Sequence, residues 1–83
     1  MEHPSATPDT LEEEERRLRQ LKTVVLLALS VLAQTDVPLA KAEAMVDDVR
    51  RLALRLFPGK ELAFDLIYKP RLERVIRERF RLQ

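Results

Sequence analysis

The one histidine of this 83-residue chain is His3, and it heads the most ligand-like constellation in the sequence. In Met1-Glu2-His3 a free amino group, two deprotonated amides and the imidazole can close a square plane around Cu(II) or Ni(II). Any peptide with histidine in third place shares this chemistry, so no resident metal site is expected. The carboxylates offer less. Glu12–Glu15 are consecutive, and helical neighbours radiate about 100° apart, so they cannot converge on one ion. Asp47-Asp48 fails by the same geometry. Glu43 and Asp47 do share a face, but no histidine lies near them to complete the carboxylate pattern of a di-iron bundle.

Catalysis finds no footing either. Ser5, Ser30 and the threonines have no histidine base within reach in sequence, and cysteine is absent. The single glycine, Gly59, rules out a glycine-rich loop that would cradle phosphate. The expectation is a protein that is not an enzyme and carries no cofactor.

Arginines make the stronger pattern. With Arg71 at zero and about 100° per residue, Arg71, Arg74, Arg77 and Arg81 gather on one side of a C-terminal helix. Leu72, Val75, Ile76, Phe80 and Leu82 gather on the other. The preceding short segment, the Tyr68-Lys69-Pro70 turn and this helix loosely resemble a helix-turn-helix, whose arginines would meet phosphates or guanine edges. Against that, the helix has no Asn or Gln to read adenine, and Glu78 sits inside the basic arc. Glu73 with Arg77 and Arg74 with Glu78 read as surface pairs one turn apart. A solvated face is preferred, and nucleic acid remains the alternative partner.

Composition sets the frame that must hold these groups. Leu, Ala, Glu and Arg dominate, all good helix formers, whereas apolar-polar alternation and Asn-Gly turns are missing. The class is all-α. Eighty-three residues make one domain that is only marginally stable alone. The net charge of +1 conceals two blocks, an acidic one up to residue 49 and a basic one from residue 50. They can neutralise each other within the fold, pair between copies, or leave a basic face for an anionic partner.

Four helices are expected: two long, one short, and a C-terminal basic amphipathic one. Residues 1–8 hold two prolines and no periodicity, and are expected to be a disordered tail before a single helical domain over 9–83. Asp9 is a candidate N-cap for a helix from about Thr10 to Gln34, with Glu12 at the capping-box position. Thr35 to Pro38 supply a stop and a restart for a second helix over about Val37–Phe57. Its seam reads Leu39, Ala42, Val46, Val49, Ala53 and Leu56. Pro58-Gly59 ends it. A third helix over Glu61–Tyr68 is expected to bury Leu62, Leu66, Phe64 and Ile67, with Asp65 and Lys69 outward. Pro70 restarts the chain for Arg71–Leu82. The predicted core is Leu21, Val25, Leu32, Val46, Val49, Leu56, Leu66 and Ile76.

One stretch of the first helix stands apart. Val24–Ala33 reads VVLLALSVLA and is apolar on every side, whereas a surface helix shows a stripe. It is too short to span about 30 Å of hydrocarbon. With the basic cluster Arg16–Lys22 ahead of it, residues 16–33 have the layout of a secretory signal. Four preceding glutamates and the late start argue instead for a buried helix and no membrane association. Three shorter or equal helices are a thin wrapping for such a segment. The expectation is therefore a cytoplasmic homodimer that self-associates through Val24, Leu27 and Val31, serving as a small interaction module for a protein partner.

Overall fold

The computed structural model describes residues 8–34 and 36–80, and 89% of these are helical with no strand among them. The order is α1 Pro8–Gln34, α2 Leu39–Leu56, α3 Glu61–Ile67 and α4 Lys69–Phe80. The expected all-α domain is borne out, and the described residues form four helical segments with α3 and α4 joined into one bent helix. The expected tail lies outside the described residues except Pro8. That residue opens α1, in the first turn where a missing N–H costs nothing. Asp9 therefore falls inside the helix rather than capping it.

α2 begins two residues later than its periodicity suggests. Pro38 is its N-cap in extended geometry, φ −62° and ψ 152°, and the Pro38 carbonyl accepts the Ala42 N–H at 2.9 Å. Proline pre-sets its own φ and biases Val37 before it toward extended backbone, so the helix cannot reach back to residue 37. At the other end the Phe57 N–H donates to the Ala53 carbonyl at 2.8 Å, and Gly59 takes φ +80°, which strains any side-chain-bearing residue.

The junction of α3 and α4 centres on Tyr68, which keeps helical geometry at φ −100° and ψ −38°. Its N–H donates to the Phe64 carbonyl at 2.9 Å. Its own carbonyl accepts from Arg71 at 3.1 Å and Leu72 at 3.2 Å. Pro70 has no N–H to offer Leu66, and its ring crowds that carbonyl, so the helix bends instead of continuing straight. The proline thus sits inside the first turn of α4, not before it.

The core lies between α1, α2 and α4. Leu21, Val25, Ala28 and Leu32 meet Ala42, Val46, Val49 and Ala53, with Phe64, Leu72 and Ile76 closing the third side. Spacings of four and three keep each set on one helix face. Alanines at the crossings let backbones approach. The seam expected for α2 is buried at its four central positions, while Leu39 and Leu56 at its ends are half-buried.

Three expectations for α3 fail together. Leu62 and Leu66 are 71% and 68% exposed, and Ile67 is exposed as well. Phe64 takes the single inward position of this short helix. Residues two before and two after it lie about 200° around the axis, so Leu62 and Leu66 must face outward. Leu66 therefore leaves the core and Leu72 supplies the volume.

Asp65 was expected to point to solvent, yet it ties α3 to α2. Arg50 donates Nε to Oδ1 at 2.8 Å and Nη2 to Oδ2 at 3.0 Å, a two-pronged pair that fixes orientation as well as distance. The Arg50 hydrogen bond holds the Asp65 carboxyl below its ordinary pKa, and the Arg50 guanidinium is raised in turn. A carboxylate whose pKa is depressed by folding stabilises the fold above its unfolded value, and that stabilisation is lost as pH falls through the folded value. Melting temperature should therefore decline below about pH 4, the ordinary aspartate range. Asp65→Asn should melt lower than the native chain at pH 7 and show less of this acid decline. An identical acid decline in the variant would remove Asp65 as its source.

Candidate functional site

The apolar run of α1 is only partly enclosed. Val25, Ala28 and Leu32 are in the core, and Val24 and Leu29 are half-buried beside it. Leu26 and Leu27, in the middle of the run, are 67% and 61% exposed, and Val31 is exposed too. α4 does pack along α1, but it leaves these three side chains uncovered. At about 100° per residue they fall on two separate flanks of the helix. Val24, Leu27 and Val31, the expected self-association face, form one flank, bordered by the uncharged Gln20 and Thr23. Leu26 belongs to the other.

That second flank is longer than the apolar run. Leu11, Glu15, Leu18, Lys22 and Leu26 lie within roughly 80° of arc, and their leucines are exposed along the length of the helix. None of the residues Thr10–Gln20 is buried, so this part of α1 runs roughly 15 Å ahead of its first core residue, Leu21. Arg17 marks where support from α2 reaches it, its guanidinium lying 6.0 Å from the centre of the Phe57 ring.

Beside the flank the surface is concave. No Cα of α1 lies within 8 Å of one in α3, and between the two helices lies an apolar hollow of about 330 Å³ walled by Leu18, Phe57, Ala63, Phe64 and Ile67. Ile67 and Tyr68 separate it from a second hollow of about 280 Å³ beneath Leu26 and Leu29. The charged residues at these two hollows are all cations: Lys60 at the first, Lys22 and Arg71 at the second. Sequence periodicity missed this groove. It arises because Pro58-Gly59 swings α3 away from α1, which no single-helix pattern records.

The arginine face of α4 is exposed at Arg71, Arg74 and Arg77, while Arg81 lies outside the described residues. It is not a uniform cationic surface. Arg74 donates to Glu78 at 3.3 Å, and Arg71 lies 6.0 Å from the Tyr68 ring centre. Arg77 shares a hollow with Glu43, Asp47 and Glu73. Glu73, expected to pair with Arg77, instead meets Lys69 Nζ at 3.9 Å. Arg79, between the faces, reaches Asp36 at 3.5 Å. Acidic and basic halves of the chain thus meet across the fold at Arg77, beside Glu43 and Asp47, and at Arg79 with Asp36.

Among the described residues there is no cluster of three or more histidines, cysteines or carboxylates placed to hold a metal ion. The tripeptide ending in His3 lies outside the described residues. No helix among them is long and apolar enough to cross a membrane. Residues 16–33 form one continuous length of α1, with its inner face in the core. Comparison with protein-family models, curated proteins and solved structures finds no match to this chain.

Proposed function

We propose that this protein is a small, non-enzymatic, cytoplasmic interaction module that works as a homodimer joined through α1. The observation that carries this reading is the exposure of Leu26 inside the most apolar stretch of the chain, on a flank it shares with the exposed Leu11 and Leu18. Burying one such side chain is worth about 1.5–3 kcal/mol, a large share of the few kcal/mol a domain this small has in total. A second copy presents the same surface, and two-fold pairing covers both at once. The apolar surface of α3, with Leu62 and Leu66 outward, is then left for a protein partner.

Association that stabilises the native state makes melting depend on concentration. A hundredfold increase in protein concentration should raise the melting temperature by at least about 5 °C, from the entropy of unfolding typical of domains this size. A melting temperature constant over that range contradicts the homodimer.

A further inference from the structure

We infer that the partner copy's α1 lies antiparallel in the groove between α1 and the bent α3–α4 helix, related by a two-fold axis beside Leu18. The proposal rests on the self-association reading above and specifies its geometry.

The spacing of the exposed flank is what selects the partner. Read along the helix it runs Leu11, Glu15, Leu18, Lys22, Leu26. Reversing the direction about a point between residues 18 and 19 places Leu11 opposite the partner's Leu26, and Glu15 opposite the partner's Lys22. Leu18 comes to lie next to its own copy. The stripe is thus complementary to itself in both shape and charge when antiparallel, as an isologous interface requires. In parallel alignment Glu15 would face Glu15 and Lys22 would face Lys22.

The groove supplies independent support. Leu18 of the arriving helix would enter the hollow walled by Leu18, Phe57 and Ile67. Leu11 of that helix would enter the hollow under Leu26, whose charged residues are Lys22 and Arg71. The residues that follow Leu11 are Glu12–Glu15, the densest run of negative charge in the chain. Glu15 on the flank, with Glu12 and Glu14 bordering it and Glu13 turned away, therefore meets the basic rim, twice per dimer, and complementary charge of this kind fixes register and suppresses the wrong orientation. The pairing also gives a neighbour to the exposed length of α1 ahead of Arg17. A short helical overhang is marginal by itself, and here it would gain a neighbour along roughly 22 Å from Leu11 to Leu26. The opposite flank has no such complement, since Leu27 and Val31 are bordered by Gln20, Thr23 and Gln34 rather than by paired charges.

Charge reversal on the full-length chain tests the register. Glu15→Lys alone and Lys22→Glu alone each juxtapose like charges, and each should weaken dimerisation about tenfold or more. The double variant Glu15→Lys/Lys22→Glu restores opposite signs and should return to within about threefold of the native dissociation constant. Leu27→Glu/Val31→Glu, on the opposite flank, should dimerise as the native chain does. Circular dichroism checks that each variant keeps its helix content. A native chain that dimerises but shows no rescue in the double variant overturns this geometry and leaves self-association standing. So does loss of dimer in the Leu27/Val31 variant alone. A native chain that is monomeric throughout the concentration series overturns both.

Discussion

Val49→Asp should abolish cooperative unfolding at neutral pH. Val49 is buried in the seam of α2, among the side chains that join α1 and α4 to it. Among the described residues no buried one is polar or charged, so none of them offers the introduced carboxylate a cation inside the core. The group must therefore stay protonated, which moves its pKa from about 4 to above 7 and costs about 4 kcal/mol at 1.36 kcal/mol per unit. Losing the valine methyls adds to that. The whole stability of a domain this size is on the order of 4–12 kcal/mol. A folded-state pKa raised above the unfolded one means that the penalty grows as pH rises above about 4. The variant should accordingly regain helical signal as the solution is acidified from pH 7 toward pH 5. Cooperative melting near the native temperature at pH 7 would show that the buried face of α2 is wrongly identified.

Positions such as Val49 were legible in the sequence because a helix long enough to repeat its pattern reveals its inner face. In α2 four consecutive seam positions, from Ala42 to Ala53, are buried as the spacing indicates. The same holds in α1 for Leu21, Val25, Ala28 and Leu32, and in α4 for Leu72 and Ile76. α3 was not legible for the opposite reason. Seven residues make barely two turns, and five of them are apolar, so every face looks like a core face. Only tertiary contact selects Phe64. Its selection also decides that Asp65 swings toward Arg50, a contact between residues fifteen apart that no local pattern contains.

The candidate surface was half legible. An all-apolar segment in α1 announces that something must cover it, and the open Leu26, Leu27 and Val31 bear out that the chain's own helices leave a remainder. Which flank matters depends on where α3 and α4 sit, and that follows from the bend at Pro70 and the turn at Gly59. The basic face of α4 and its Arg74–Glu78 pair were legible as periodicity, but the carboxylates of α2 beside Arg77 were not. Glu43 and Asp47 come beside Arg77 from another helix.

Leu18→Glu should have the largest effect on assembly. Leu18 is 39% exposed, so a charge there is tolerated by the isolated fold. In the proposed dimer it faces its own copy beside the two-fold axis, where two carboxylates would be desolvated side by side, each at a hollow whose one charged lining residue is Lys60. Like charges so placed cost several kcal/mol, and 1.4 kcal/mol is tenfold in affinity. A loss of at least about a hundredfold in dimer affinity is expected, with helix content and the core intact. A variant as dimeric as the native chain would remove Leu18 from the interface.

Light scattering coupled to size exclusion, run on the unaltered chain at tens of micromolar, tests self-association most directly. The expected result is a single species of twice the chain mass of 9.7 kDa. A species of 9.7 kDa at every concentration would contradict the account, because Leu11, Leu18 and Leu26 would then face water in the working protein.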